Sequence, residues 1–411
     1  MADIGVVIAH IFLFVSLYFE IFLLVTFLER RHEVGGSSEE PTLFPTVTVI
    51  VPCWNEVKTL ARTVKSLLAL EYPKEKLSIF IVDDGSKDGT WEAMQEFKDA
   101  PMVTLFRKKN GGKFTALNLG IEQATSEIVG CLDADSIVKP DALKRIIKHF
   151  EDPLISAVTP GIKINNPKNI IEHIQVAEYT FSAFIRKVFS FMGAIYITPG
   201  PFSFFRRDIF KTIGLYRHAH NTEDLEMALR LQKNNLRIVN AHDAHVYTNA
   251  PRTPRTLYKQ RVRWIHGFLE NAKDYRSLFF KRGHGDLSFF ILPTAALSIF
   301  TALYFTGFAL FNTIIFITNK SIEFSAVGFG LVAQVPQLDW FFLKTESIFI
   351  ISMILVILTT TLIVIGRYIL DQRVTFSRDI VYFLLFYSFL APFWLFTSVY
   401  RTTFAKKTSW R

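Results

Sequence analysis

The chain changes its hydrophobic rhythm twice. Residues 4–28 form an almost unbroken apolar run, with His10 and Glu20 as its only side chains able to carry charge near neutral pH, long enough to cross a bilayer. Glu29-Arg30-Arg31-His32 follows at once, so the positive-inside tendency puts the N-terminus outside and the next segment in the cytosol. No basic residue precedes the run and no small-x-small site follows it, which favours an anchor over a cleaved signal. After a polar linker over 33–45, short β-branched runs alternate with helical spacing. Val47–Val51 predicts a strand closed by Pro52, and Ile79–Val82, Val103–Arg107 and Ile128–Leu132 predict three more. Between them Val57–Leu70, Thr90–Phe97 and Phe114–Ala124 have helical periodicity. Apolar strands alternating with helices imply an open, mostly parallel α/β sheet, which binds ligands at the carboxyl ends of its strands.

Beyond Phe150 the alternation weakens. Ile170–Phe191 and Leu225–Leu231 read as helices and Arg237–His245 as a strand. From Leu287 the chain is apolar again. Leu287–Ile317, Ile348–Ile365 and Ile380–Tyr400 read as membrane spans, and Ile322–Leu343 as an interfacial or extracytoplasmic stretch. The expected organisation is an N-terminal span over 1–32, the linker over 33–45, an α/β domain with interfacial helices over 46–285 and a membrane region of about three spans over 286–411. That count puts the residues beyond the last span outside, with Arg367, Arg373 and Arg378 of the preceding connector inside. It runs against the preference of Arg401, Lys406 and Lys407 for the inside.

Composition sharpens this picture. Hydrophobic residues make up 50% of the 411 positions, 41 of them Phe, yet 20% are charged, which fits a soluble domain joined to membrane helices. The net charge of +9 suits a face near anionic headgroups. No basic run is interleaved with aromatics, which argues against nucleic acid as a partner. The two cysteines, Cys53 and Cys131, have no metal-ligand spacing and exclude a disulfide framework, so the soluble part reads as cytosolic.

Five groups carry candidate chemistry. Asp84 ends a strand before Gly85, which taken alone is ordinary turn chemistry. Asp133-Ala134-Asp135 sets two carboxylates at a strand end, able to share a hard cation such as Mg2+ or Mn2+ whose shell substrate phosphates complete. Gly111-Gly112-Lys113 opens a helix, a place that suits an anion, and is not a P-loop. Glu223-Asp224 opens another helix, either as favoured N-terminal charges or with a general base that takes a proton from an acceptor hydroxyl. Gln260, Arg263 and Trp264, at i, i+3 and i+4, share one helix face that offers an amide, a guanidinium and a flat indole to a phosphate and a sugar. Membrane-interface anchoring is their plainer reading.

In this order, Val51-Pro52-Cys53-Trp54-Asn55-Glu56, Val82-Asp83-Asp84-Gly85-Ser86, Gly112-Lys113, Asp133-Ala134-Asp135, Gly200-Pro201, Thr222-Glu223-Asp224 and Gln260-Arg261-Val262-Arg263-Trp264 resemble the membrane-embedded synthases of glycosyltransferase family 2. These make cellulose, chitin, hyaluronan and poly-N-acetylglucosamine, and the poly-β-1,6-N-acetylglucosamine group looks most similar. The resemblance runs from Val47 to about Gly267. It implies a cytosolic GT-A (Rossmann-like) domain, a UDP-sugar donor, Mg2+ or Mn2+, inversion at the anomeric carbon and a multi-pass plasma-membrane location. Pro52, Asn55, Glu56, Asp84, Lys113 and Asp133 would line the donor nucleotide, and Asp133 and Asp135 the metal. Asp224, with Glu223, would be catalytic. Gly200, Pro201, Gln260, Arg263 and Trp264 would bind acceptor and diphosphate. The implied reaction adds a sugar, N-acetylglucosamine foremost, to a growing β-linked polysaccharide. The alternative is a single transfer to a membrane lipid, as in ceramide glucosyltransferases. A saccharide or glycolipid acceptor, membrane lipids and a second copy or accessory subunit are the implied partners.

Overall fold

The computed structural model describes residues 2–35, 40–327 and 347–404. The first apolar run is one helix, α1 (Ala2–Glu29). The β-branched run that follows the linker forms the strand around which the sheet is laid. β1 (Val47–Cys53) is buried almost throughout and pairs in parallel with both of its neighbours. The chain then runs α2 (Leu60–Leu68), β2 (Leu77–Asp83), α3 (Thr90–Met94), β3 (Val103–Arg107), α4 (Lys113–Gln123) and β4 (Ile128–Cys131). These bounds lie inside the expected helix over Val57–Leu70 and the expected strand over Ile128–Leu132. Pro52 does not close β1 but lies within it, opposite Val82 of β2. It is tolerated because β4 pairs only with Val47–Ile50, so no neighbour on that side needs the missing N–H.

The second half adds β5 (Ile137–Val138), α5 (Ala142–His149), β6 (Ile155–Ile164), α6 (Ile170–Phe191), β7 (Ser203–Arg206), α7 (Ile209–Ile213), α8 (Glu223–Lys233), β8 (Arg237–Thr248) and α9 (Pro254–Asp274). The sheet order is β3-β2-β1-β4-β7-β6-β8-β5. Parallel pairing joins the first four strands and also β6 to β8. β7 runs antiparallel to both β4 and β6, and β5 antiparallel to β8. Helix ends are set locally. Asn169 caps α6 by accepting from Glu172 N while Glu172 accepts from the Asn169 amide. Thr253 caps α9 ahead of Pro254 at its first position.

The remaining helices are α10 (Leu292–Val327), α11 (Ser347–Asp371) and α12 (Arg378–Phe404), with a π-helical turn over Leu287–Ile291 where the Leu287–Ile317 span was expected to begin. The stretch expected over Ile322–Leu343 continues α10 as far as Val327, and its later part lies outside the described residues. Among the described residues four helices are long and apolar enough to cross a membrane: Ile4–Glu29, Leu287–Ser325, Ser347–Asp371 and Arg378–Phe404.

Two cores cover the two faces of the sheet. One joins β1, β2 and β4 to α2 and α5. The other joins the opposite face to α4, α6, α8, α9 and the membrane helices without a break. Phe27 of α1 meets Phe184 of α6 at 5.6 Å between ring centroids, and Gly366 of α11 lets that span touch the Thr180 carbonyl, where a Cβ would approach to 2.2 Å. A buried side chain such as Phe184 contributes about 1.5–3 kcal/mol, so this continuity fixes the domain to the membrane helices.

Candidate active site

The acidic strand ends meet where the sheet changes from parallel to antiparallel pairing. Lys113, first residue of α4, places Nζ 2.5 Å from Asp133 Oδ1 and 3.5 Å from Glu223 Oε1. It thus joins the carboxyl end of β4 to the start of α8. Burial alone would lower the Lys113 pKa, but the Asp133 and Glu223 carboxylates overcome it and hold the ammonium above its ordinary value. Gly200 closes over this pair. A Cβ there would stand 2.5 Å from Lys113 Nζ and 2.8 Å from Asp133 Oδ2. Gly200→Ala therefore forces the pair apart. We expect turnover to fall on the order of 100-fold with little change in thermal stability, as rates and melting curves of purified protein will show.

Asp84, at the carboxyl end of β2, is held by donors from the loop that follows β3. Its carboxylate is enclosed and accepts from Gly111 N at 3.0 Å, Gly112 N at 2.8 Å and Lys108 Nζ at 2.7 Å. It holds the turn that presents Lys113. Lys108 went unnoticed in the sequence because one lysine in a basic loop carries no signal. Glu56 accepts from the Thr59 hydroxyl at 2.6 Å, and burial above all raises its pKa, with Asp133 adding to the effect. Asn55 adopts φ 58° and accepts from Lys87 N through its side chain, shaping the β1 exit loop. Pro201 lies in the turn before Phe202, whose N–H donates to the Cys131 carbonyl.

Asp224 stands in the first turn of α8, and its Oδ1 accepts from Leu225 N at 2.9 Å. Burial first, then Glu223, pushes its carboxyl up to about 6, while Lys113 opposes the rise. A carboxylate tuned to that range can take up a proton near neutral pH. The loop before it is strained. Ala219, His220 and Asn221 take φ values of 43°, 54° and 63°, each at a cost on the order of 1 kcal/mol. Asn271 of α9 holds them there. Fully buried, it donates to the Thr222 hydroxyl at 2.9 Å and the Ala219 carbonyl at 3.3 Å.

α9 does present Gln260, Arg263 and Trp264 at one-turn spacing. Arg263 is exposed and makes no hydrogen bond or ion pair with the described residues. Arg261 is the brace. It lies 4.3 Å over the Trp264 ring, pairs with Glu178 of α6 at 2.6 Å and donates to Gln260 Oε1 at 3.1 Å. Tyr179 and Arg186 of α6 add groups within electrostatic reach of Asp135 and Asp224 respectively. Burial lifts the Tyr179 hydroxyl to about 12 and lowers Arg186 to about 10. Polar residues at helical spacing inside the apolar Ile170–Phe191 run were the signal that could have found them.

Among the described residues the Asp135 carboxylate has one hydrogen-bond donor, the Ser136 hydroxyl at 3.1 Å. Burial, then Asp133 and Glu56, raise it to about 6. A divalent cation relieves that crowding of like charge, so these residues fit one. Among the described residues no three His, Cys, Asp or Glu side chains form a metal cage. A hard divalent cation takes one or two carboxylates and completes its shell with phosphate oxygens.

Residues 48–214 match the family described as Glycosyl transferase family 2. Over 226 residues the chain is 37% identical to a poly-beta-1,6-N-acetyl-D-glucosamine synthase of Staphylococcus epidermidis, covering 54% of each chain. Over 224 residues it is 35% identical to the protein of that name from Staphylococcus aureus strain COL, again covering 54% of each. The chain thus spans about half the length of the curated relatives it matches. Among solved structures, a mannosyltransferase of Pyrobaculum calidifontis in complex with GDP-Man and Mn2+ superposes with a TM-score of 0.61 at 18% identity, over 96% of this chain and all of that one. The two share a fold.

Proposed function

We propose, on the premise that residues 48–214 carry a glycosyl transferase family 2 domain, that this membrane protein transfers N-acetylglucosamine from UDP-N-acetylglucosamine to the end of a growing β-linked polysaccharide. One observation carries the reading. Lys113 ties the Asp133 carboxylate to Glu223, beside an Asp224 carboxyl tuned to about 6. A group that steadies a leaving diphosphate is thereby set next to a base for the incoming hydroxyl. The names of the 35–37% identical relatives support the choice of sugar and of polymer.

In the proposed reaction Asp224 accepts the proton of the acceptor hydroxyl as its oxygen attacks the anomeric carbon. The bond from that carbon to the diphosphate breaks, and UDP leaves with its electron pair on the opposite face, which inverts the centre. Asp133 and Asp135 would hold a divalent cation, whose charge offsets that of the diphosphate. Lys113 and the free Arg263 guanidinium add fixed positive charge for the leaving group. Trp264, held flat by Arg261, offers a platform for the acceptor sugar. Glu56 would face the nucleoside. The catalytic domain would stand on the cytosolic side of a plasma membrane.

Protein purified in detergent, given UDP-N-acetylglucosamine, UDP-glucose, UDP-galactose or UDP-glucuronate with Mg2+ or Mn2+, should release UDP from the first donor. Mass spectrometry of the product should show a ladder of N-acetylhexosamine units. A product of one sugar on a lipid would overturn the polymer reading, and release from another donor only would overturn the sugar.

A further inference from the structure

We infer that α12 does not cross the membrane but lies along its catalytic-side surface, strapped beneath α6 and α9. The inference rests on where its two ends are fixed. At the start, Asp379 Oδ1 meets His173 Nδ1 of α6 at 2.6 Å. One third of the way along, the Tyr387 hydroxyl donates to Glu178 of α6 at 3.3 Å. Near the end, Thr397 bonds Tyr258 of α9 at 2.7 Å and Thr402 bonds His266 of α9 at 2.8 Å. Lys273 Nζ, in the last turn of α9, donates to the Thr402 carbonyl at 3.0 Å. Asp379 and Thr402 lie about 35 Å apart along the helix, more than the roughly 30 Å of a bilayer's hydrocarbon core. A helix that crossed would carry one of these ends to the far side. Both ends instead touch the two helices that build the active site, and α9 itself ends at the loop before Asp224, where Asp274 pairs with His220 at 2.9 Å.

α11 shows what a crossing helix looks like in the same molecule. It is buried against α6 only in its last turns, from Leu362 to Leu370, and its other end meets the start of α1 through Ser347 and His10. α12 has buried residues at both ends, Asp379 and Ile380 at one and Trp394, Leu395 and Ser398 towards the other. Its outer stripe is aromatic and exposed throughout: Phe386, Phe389, Phe393, Phe396 and Tyr400. Most surface helices set a charged face against water. Here that face is replaced by contact with α6 and α9, and the aromatic stripe is left for the acyl boundary. The partner is a bilayer surface with anionic headgroups. Where α12 begins, Lys168, Arg252 and Arg378 line an open cleft of about 510 Å³, placed to meet phosphate at that level. Two spans then follow the catalytic domain, and the basic Arg401 falls on the side that basic residues prefer.

Nitroxide labels at Val381→Cys, Phe389→Cys, Phe396→Cys and Phe404→Cys test the inference in proteoliposomes of phosphatidylglycerol and phosphatidylethanolamine. The native Cys53 and Cys131 are buried, and all four label sites are exposed. Collisional depth should be nearly equal at the four sites. A profile deepest near Phe389 and shallow at both ends would overturn the inference. An alkaline phosphatase fused after Arg411 should be inactive and a green fluorescent protein fluorescent there; an active phosphatase would also overturn it. Neither readout requires enzymatic turnover, so the inference stands or falls apart from the proposed reaction.

Discussion

Asp224→Asn lowers sugar transfer by about 10²–10⁴-fold, the usual contribution of a positioned base, with donor affinity and melting temperature close to those of the parent. The amide keeps the shape of the carboxyl and can still accept from Leu225 N, so α8 keeps its first turn. It cannot take the acceptor's proton. In the parent protein the rate should fall as pH drops through about 6, because protonating Asp224 removes the base. Initial rates across pH for both proteins, with donor binding by calorimetry, test this. Equal loss of binding and rate in the variant would mean that Asp224 holds the donor instead.

Lys113→Met has the second large effect, and its sign is specific. Lys113 lowers the pKa of Asp224, against burial and Glu223. Without the ammonium the carboxyl rises further, so the acidic limb of the rate profile must move to higher pH. The rate at the new optimum also falls, because the leaving diphosphate loses a fixed charge; one lost donor of this kind costs about 10²–10³-fold. Lys113→Arg keeps the charge and should restore the limb. A variant whose rate falls with an unmoved limb would separate Lys113 from Asp224.

The sequence made the parallel half of the sheet readable because β1 to β4 are short apolar runs between helical periods. It hid β6. Ile155–Ile164 contains Pro160-Gly161, a pair that reads as a break, yet the strand continues through an irregularity in its register with β8 at that point. The candidate residues Asp133, Asp135, Glu223 and Asp224 were visible as acidic groups at predicted strand and helix ends. Their common tether was not, because Lys113 reaches both groups only once α4 and α8 are packed. Asn271 and Arg261 were invisible for the same reason. Neither differs in sequence from a surface residue of an amphipathic helix, and only tertiary burial turns one into the latch of the strained loop and the other into the support of Trp264.

The unbroken core that joins the sheet to the membrane helices bears on how the protein folds. Leu23, Phe27, Phe184, Val188, Leu362 and Trp394 belong to the same buried cluster as Ile50 and Val129 of the sheet. A catalytic domain freed from its spans would turn that apolar face to water, where it promotes association between copies. Cooperativity therefore extends across the water–lipid boundary. During synthesis the early strands emerge with α1 available as a partner, but α11 and α12 follow the catalytic domain, so the site around Trp264 reaches its final rigidity only once they have docked.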